Sequence, residues 1–165
     1  MSKAIVSDTS PLISLEKISG GFNFIRKLYD KVFIPPAVLE ELSKGSFSDP
    51  VKYLKKYKIE ELVEVKPVST ISEIPDIDRL DEGEKQAISL AYQLNLPLLI
   101  EETMGRRIAL SAGIHISGIA GQIVKAYREK IIERTGATHK LKELFQSGRI
   151  SKKLYDALSV ALERS

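Results

Sequence analysis

Short apolar runs alternate with amphipathic stretches along the chain, a pattern typical of an α/β protein. Five runs are short enough for strands: Ala4–Val6, Lys31–Ile34, Leu62–Val68, Leu96–Ile100 and Ile114–Ser117. Helical patterns separate most of them. Because strands joined through helices form parallel sheets by right-handed crossovers, we expect a central, mainly parallel sheet of four to five strands. The proline in the third run favours an edge position for that strand.

Capping residues and prolines set the expected helix starts. The residues placed at caps or first helical positions are Ser10 with Pro11, Pro36, Asp81, Thr103, Thr138 and Ser151. The segment from 69 to 79 is expected to be a loop. We expect residues 1–130 to form the main domain and residues 131–165 a C-terminal helical extension packed on it.

Carboxylates follow two of the predicted strands. Asp8 follows the first strand, and Glu101 with Glu102 follows the fourth. The carboxyl ends of parallel strands share one edge of the sheet, where open α/β folds bind ligands. An Asp at such a position can also simply satisfy backbone N–H groups of the turn. On the helix that begins near Pro36, Glu41 lies at the margin of the apolar stripe and is a candidate for the same edge.

Glu84 has two interpretations. It stands three residues after Asp81, and the pair matches an Asp variant of the capping box, which is a purely structural role. At 100° per residue, however, Glu84 also falls in the middle of the apolar stripe of its helix, with Ser89 on the opposite face. Because an ionised carboxylate facing an apolar interior is costly unless it is paired, this position indicates a cation or a strong partner.

Composition limits the kinds of catalytic and metal-binding site that the chain can form. The 165 residues, 43% of them hydrophobic, suit one globular domain. A run of about 20 apolar residues, as a bilayer crossing requires, is lacking, so we expect a cytoplasmic protein without a membrane partner. Cysteine is absent and His115 and His139 are isolated. Any metal is therefore expected to be held by oxygen, which favours magnesium or manganese.

Positive charge permits contact with nucleic acid without demonstrating it, since the formal net charge is +3. Tyr53 and Tyr57 stand among lysines in a predicted helix, an arrangement that could stack single-stranded nucleic acid. The more ordinary interpretation, which we favour, is a solvated helix face with half-buried rings.

A cluster of carboxylates at one sheet edge would repel itself unless divalent cations neutralised it. Two such ions can activate a water and stabilise the leaving oxygen of a phosphodiester, and this chemistry needs neither histidine nor cysteine. A serine hydrolase is disfavoured because neither histidine has a recognisable nucleophile partner. A phosphate-binding glycine-rich loop after a strand is also missing.

Four segments together resemble the PIN-domain family, and within it the VapC-like group of small prokaryotic proteins. They are Val6-Ser-Asp-Thr-Ser-Pro-Leu-Ile13, Ile34-Pro-Pro-Ala-Val-Leu-Glu-Glu-Leu42, Leu80-Asp-Glu-Gly-Glu84 and Leu98-Leu-Ile-Glu-Glu-Thr-Met-Gly-Arg-Arg107. The resemblance implies a three-layer α/β/α fold and a magnesium- or manganese-dependent ribonuclease. It also implies a toxin of a toxin–antitoxin pair, with a protein antitoxin as partner, and a homodimer.

By this resemblance, Asp8, Glu41 and Glu84 fall on the family's metal-binding acids. The fourth acid is usually Asp, whereas Glu101 and Glu102 stand here, and either could be the ligand. A longer side chain shifts the ion, and a misplacement near 1 Å can cost on the order of 100-fold in rate.

Four further residues complete the predicted site. The resemblance suggests that Thr9 or Ser10 orients Asp8 or a water on the metal. One of Arg106 and Arg107 could pair with the carboxylates or hold a phosphate of the substrate, or both could be ordinary surface arginines.

The leading hypothesis is a metal-dependent endoribonuclease that acts on single-stranded RNA. The competing hypothesis, motivated by the changed fourth acid, is a catalytically weak PIN-like module that binds RNA or a protein. Other folds with an Asp at a strand end are disfavoured. A haloacid-dehalogenase-like phosphatase would need an acid where Ser10 stands, and a receiver domain would need paired acids after the first strand.

Overall fold

The computed structural model describes residues 3–44 and 49–164. Five parallel strands form one sheet in the order β3-β2-β1-β4-β5. The strands are β1 (Ala4–Ser7), β2 (Lys31–Ile34), β3 (Val63–Val65), β4 (Leu98–Leu99) and β5 (Ile116–Ser117). The arrangement is the expected three-layer α/β/α fold. Strand β3 lies at the sheet edge, as the proline that follows it in the third predicted run indicated.

Nine α-helices surround the sheet in the described part of the chain. They are α1 (Thr9–Glu16), α2 (Gly21–Arg26), α3 (Pro36–Ser43), α4 (Val51–Lys56), α5 (Glu82–Leu94), α6 (Thr103–Ser111), α7 (Ile119–Arg128), α8 (Arg134–Gln146) and α9 (Lys152–Arg164). The segment from 69 to 79, predicted as a loop, ends in a 3-10 helix, Ile77–Arg79. None of the helices within residues 3–44 and 49–164 combines the length and apolarity that a membrane crossing requires.

The central strand β1 fixes the geometry of the sheet edge. Val6 pairs with Phe33 of β2 on one side and with Leu98 of β4 on the other. Val6 and Leu98 are completely buried, as expected for strands that helices cover on both faces. The residue that follows β1, Asp8, therefore lies at the middle of the carboxyl edge.

Three predicted caps are wrong. Helix α1 begins at Thr9 with Asp8 in the N-cap position, not after Ser10. Pro11 is tolerated as the third helical residue because the first four N–H groups of a helix lack intrahelical partners. Helix α6 begins at Thr103 itself, with Glu102 in the N-cap position. The caps at Asp81 and Ser151 are confirmed by bonds from the N–H groups of Glu84 and Leu154.

The third wrong cap is Thr138, which lies inside α8; that helix begins at Arg134. Ala137, Leu141 and Leu144 are spaced along one face of α8 and are all fully buried. Packing of this face therefore extends the helix beyond the residue that local propensity selected. Together with Leu162 of α9, these residues belong to the same core as the sheet. The division of the chain at residue 130 stays a prediction.

Ser89 also differs from the prediction. The periodicity of α5 placed it on the solvent face, but it is fully buried, and its Oγ accepts a hydrogen bond of 3.0 Å from the N–H of Ile71. The segment from 69 to 79 covers this face of the helix, which a single-helix pattern does not reveal.

Tyr53 of α4 and Tyr57, the residue that follows this helix, both contact α1. Tyr53 is 2% exposed, and the hydroxyls of Tyr53 and Tyr57 both donate to the carboxylate of Glu16. The two rings are therefore part of the packing between α1 and α4 and do not form a surface on which bases could stack.

Candidate active site

Asp8 occupies the centre of the candidate site. Its backbone N–H donates to the carbonyl of Leu99 over 3.0 Å, which extends the ladder between β1 and β4 by one residue. Its side chain is 4% exposed. The pKa of Asp8 is raised to about 7. Burial is the largest cause, and the carboxylates of Asp81, Glu41 and Glu102 also raise it, while the backbone N–H of Thr9 lowers it. Asp8 therefore has several acidic neighbours and little contact with solvent.

The N-terminus of α5 contributes Asp81 and Glu84. Asp81 caps the helix through a bond of 2.8 Å from the N–H of Glu84. The pKa of Glu84 is raised to about 8, first by burial, then by a hydrogen bond with Asp81 and by the negative charges of Asp81 and Asp8. Asp81 was predicted only as a cap. Its position in the sequence is close to Glu84, but a capping role is sufficient to explain an Asp there.

Gly83 shows how closely the acids converge. A β-carbon on Gly83 would lie 2.9 Å from Oε2 of Glu41, 3.6 Å from Oδ1 of Asp81 and 3.8 Å from Oδ1 of Asp8. Three carboxylate oxygens from three parts of the chain thus surround one point next to the bare Cα. Glycine leaves this space free, and any side chain would fill it.

Glu41 reaches the site from α3. The pKa of its carboxyl is raised, first by burial and then by Asp81, while the Thr9 hydroxyl and Lys44 partly offset the shift. An open cleft of roughly 470 Å³ lies over this side of the site and is lined by Glu41, Asp81 and Gly83, among others. Glu40 is exposed, as predicted.

Helix α6 closes the site on the other side. A β-carbon on Gly105 would lie 2.8 Å from Oε2 of Glu84, so the carboxylate of Glu84 packs directly against the backbone of α6. Glu102, at the start of this helix, is exposed, and its charge contributes to the raised pKa of Asp8. Of the two candidates for the fourth acid, Glu102 is therefore the one whose charge acts on Asp8.

Glu101 is held in a different network. Its Oε1 accepts hydrogen bonds from the hydroxyls of Ser10 (3.1 Å) and Ser14 (2.8 Å), and its Oε2 accepts one from the N–H of Ile119 (3.1 Å). The guanidinium of Arg149 lies 3.6 Å from Oε1. Because both carboxylate oxygens already have donors, Glu101 is the weaker candidate for a metal ligand.

The remaining predicted residues are spread around these two groups. The Thr9 hydroxyl is buried and makes no hydrogen bond of regular geometry within the described residues, although it lies near Glu41. Ser10 belongs to the network of Glu101. Arg106 donates to the carbonyl of Ile100 over 2.8 Å, and Arg107 is exposed.

The donor set of the site suits a hard divalent cation. All of the clustered groups are carboxylates, and the nearby buried Thr9 hydroxyl is a further oxygen donor, the type of ligand that magnesium and manganese prefer. Within the described residues, no three Asp, Glu or His side chains lie close enough together to form a ready-made metal site. A cation would therefore need to draw the carboxylates inward, and it would relieve the repulsion that raises their pKa values.

Comparison with known proteins identifies the family of the chain. A search of curated proteins gives no significant match. Among solved structures, the chain is similar to a PilT N-terminus domain protein, SSO1118, from the hyperthermophilic archaeon Sulfolobus solfataricus P2. The sequence identity is 22%, the alignment covers 70% of this chain and 86% of that one, and the TM-score is 0.45. The model of the PIN-domain family matches residues 4–164. The chain therefore belongs to the PIN-domain family, whose members are typically nucleases.

Proposed function

We propose that the protein is a divalent-metal-dependent endoribonuclease that hydrolyses phosphodiester bonds of single-stranded RNA. The observation that carries the proposal is the convergence of the Glu41, Asp81 and Asp8 oxygens around Gly83, with the pKa values of Asp8 and Glu84 raised to about 7 and about 8. A cluster of this kind is unfavourable by itself and becomes favourable when a cation binds.

The proposed ligands are Asp8, Glu41, Glu84 and Glu102, and Asp81 holds the start of α5. When bound, Mg²⁺ or Mn²⁺ supplies positive charge that polarises the phosphate and makes water a stronger nucleophile. Asp8 is the buried member and fixes the site relative to the sheet. Glu41 lies beside the open cleft, through which the RNA strand would reach the cation.

Two arginines provide positive charge near the strand ends. Arg106 is tied to the carbonyl of Ile100, and Arg107 lies exposed on the next position of α6. We propose that Arg107 contacts a phosphate of the bound strand, because its guanidinium is free to point outward, and that Arg106 mainly holds the end of β4.

The test is cleavage of an unstructured RNA with Mn²⁺ by the wild type, Asp8→Asn and Glu84→Gln. We expect cleavage by the wild type and a loss of at least about 100-fold in both variants. Glu40→Gln is the matched control, since Glu40 neighbours Glu41 on α3 but is not a proposed ligand. Equal, metal-insensitive behaviour of all four proteins would refute the nuclease proposal.

A second candidate function is a PIN-like module that binds RNA or protein with little catalysis. Two observations favour it: the fourth acid is Glu, and the described carboxylates do not form a ready-made metal site. RNA binding without cleavage, unaffected by Asp8→Asn, would support this alternative.

The toxin role, a protein antitoxin and a homodimer are also proposals, supported by the VapC-like motif order. Growth arrest on expression of the wild type, but not of Asp8→Asn, would support the toxin role. Light scattering on the purified protein would establish whether it is a dimer.

A further inference from the structure

Arg149, in the connection between α8 and α9, reaches the start of α1. Its Nε donates to Oγ of Ser14 over 3.0 Å, and its terminal nitrogen donates to the carbonyl and the hydroxyl of Ser10 over 3.0 and 2.5 Å. The same nitrogen lies 3.6 Å from Oε1 of Glu101. One guanidinium thus contacts two turns of α1 and Glu101, the second residue after β4.

This network joins four parts of the chain at the edge of the sheet. Ser10 and Ser14 belong to α1, Glu101 follows β4, the N–H of Ile119 begins α7, and Arg149 comes from the C-terminal helices. Ser10 is only two residues from Asp8, in the first turn of the same helix. Any movement of this turn therefore moves the backbone that carries Asp8.

The positive charge of Arg149 also balances the negative charge of Glu101. The two side chains are 23% and 18% exposed, so their charges are only partly screened by solvent. Without the guanidinium, Glu101 would keep its hydroxyl and N–H donors but would lose its counter-charge next to Glu102 and the other acids. A Glu101 carboxylate that leaves the network could then compete for the cation.

We propose that Arg149 is a positioning residue of the active site: it anchors the first turn of α1 and keeps Glu101 out of the acid cluster. The C-terminal helices thereby take part in forming the site. This inference rests on the proposed function for its effect on metal binding. Its effect on the first turn of α1 does not depend on that function.

The first experiment measures Mn²⁺ affinity by calorimetry for the wild type, Arg149→Met and Arg128→Met. Arg128 is an exposed arginine of α7 outside the network and provides the matched control. We expect the Kd of Arg149→Met to rise about 10-fold, the lower end of what groups that orient metal ligands contribute, and that of Arg128→Met to stay unchanged. Millimolar guanidinium should restore part of the affinity of Arg149→Ala, because the vacated space is partly open to solvent.

The second experiment measures hydrogen exchange in the metal-free protein. We expect amides in the first two turns of α1 to exchange at least about 10-fold faster in Arg149→Met, with no change in Arg128→Met. Ser14→Ala, which removes one partner of both Arg149 and Glu101, should act in the same direction if Arg149→Met fails to fold. Wild-type exchange together with wild-type affinity in the Arg149 variants would overturn the inference.

A double-mutant cycle distinguishes positioning from simple stabilisation. If Arg149 acts through Glu101, Arg149→Met should lower the Mn²⁺ affinity clearly less in a Glu101→Gln background than in the wild type. Independent losses would show that Glu101 is not the route. Should the wild type itself fail to bind Mn²⁺, the proposed function would fail, while the exchange measurement would still decide whether Arg149 anchors α1.

Discussion

The carboxylate of Glu41 lies against the bare Cα of Gly83, so that a β-carbon there would be 2.9 Å from Oε2. We therefore expect Gly83→Ala to weaken metal binding without lowering the stability of the fold. Alanine favours the helix over glycine by up to about 1 kcal/mol, so the variant should be about as stable as the wild type. Because its methyl group occupies the space between the acids, we expect Mn²⁺ affinity and RNA cleavage to fall at least about 10-fold. Unchanged Mn²⁺ affinity by calorimetry would show that the cation does not bind there.

The two candidates for the fourth acid should behave differently. Glu102→Gln removes a charge beside Asp8, and we expect Mn²⁺ affinity to fall at least about 10-fold with little change in thermal stability. Glu101→Gln puts an amide nitrogen among donors that need an acceptor, and we expect a loss of roughly 1–3 kcal/mol in the free energy of unfolding. Thermal melts and calorimetry on both variants test this assignment, and the opposite pattern would make Glu101 the ligand.

The metal-free protein should lose stability as the pH rises. The folded-state pKa values of Asp8 and Glu84, about 7 and about 8, lie above those of the unfolded chain, near 4. Between these limits the folded state binds more protons than the unfolded state, so the free energy of unfolding falls as the pH rises from about 4 to 8. Stability is highest below this range, as far as these two groups determine it.

Asp8→Asn should remove much of that dependence. At pH 8 the variant should be more stable than the metal-free wild type by up to about 4 kcal/mol, since each pKa unit corresponds to about 1.4 kcal/mol. Denaturant unfolding at pH 5 and pH 8 measures the difference. A wild type that is equally stable at both pH values would contradict the raised pKa of the buried Asp8 carboxyl.

Mn²⁺ binding should depend on pH in the opposite sense. Ligation requires ionised carboxylates, so binding releases the protons held by Asp8 and Glu84. We expect affinity to increase between pH 6 and pH 8, with proton release visible as a dependence of the binding enthalpy on the buffer. Binding that is equally tight at both pH values would show that these two groups are not ligands.

Much of the fold could be predicted because local patterns and tertiary structure agree. The residues of β2 and the cap at Asp81 are determined by neighbours in the sequence, and the structure confirms both. The predicted start of α8 was wrong because packing of Leu141 and Leu144 outweighs local capping. The solvent position predicted for Ser89 was wrong because the segment that covers it, around Ile71, lies outside α5. The apolar periodicity of α5 alone does not reveal that contact.

The site was predicted less completely than the fold. Spacing indicated that Asp8 and Glu84 would meet, and the structure brings them together. The difference between Glu101 and Glu102 depends on Arg149, which lies 48 positions after Glu101 and has no local signal. The place of Asp81 in the acid cluster was not predicted, because its role as an N-cap was a sufficient explanation for an Asp at that position.

The most direct test is a crystal of the protein soaked in Mn²⁺, with the cation located by anomalous scattering. We expect a peak beside Gly83, within coordination distance of Asp8 and of carboxylates from Glu41 or Glu84, while Glu101 keeps its bonds to Ser10 and Ser14. A map without a peak at this edge of the sheet, or with the ion held by Glu101 away from Asp8, would contradict it.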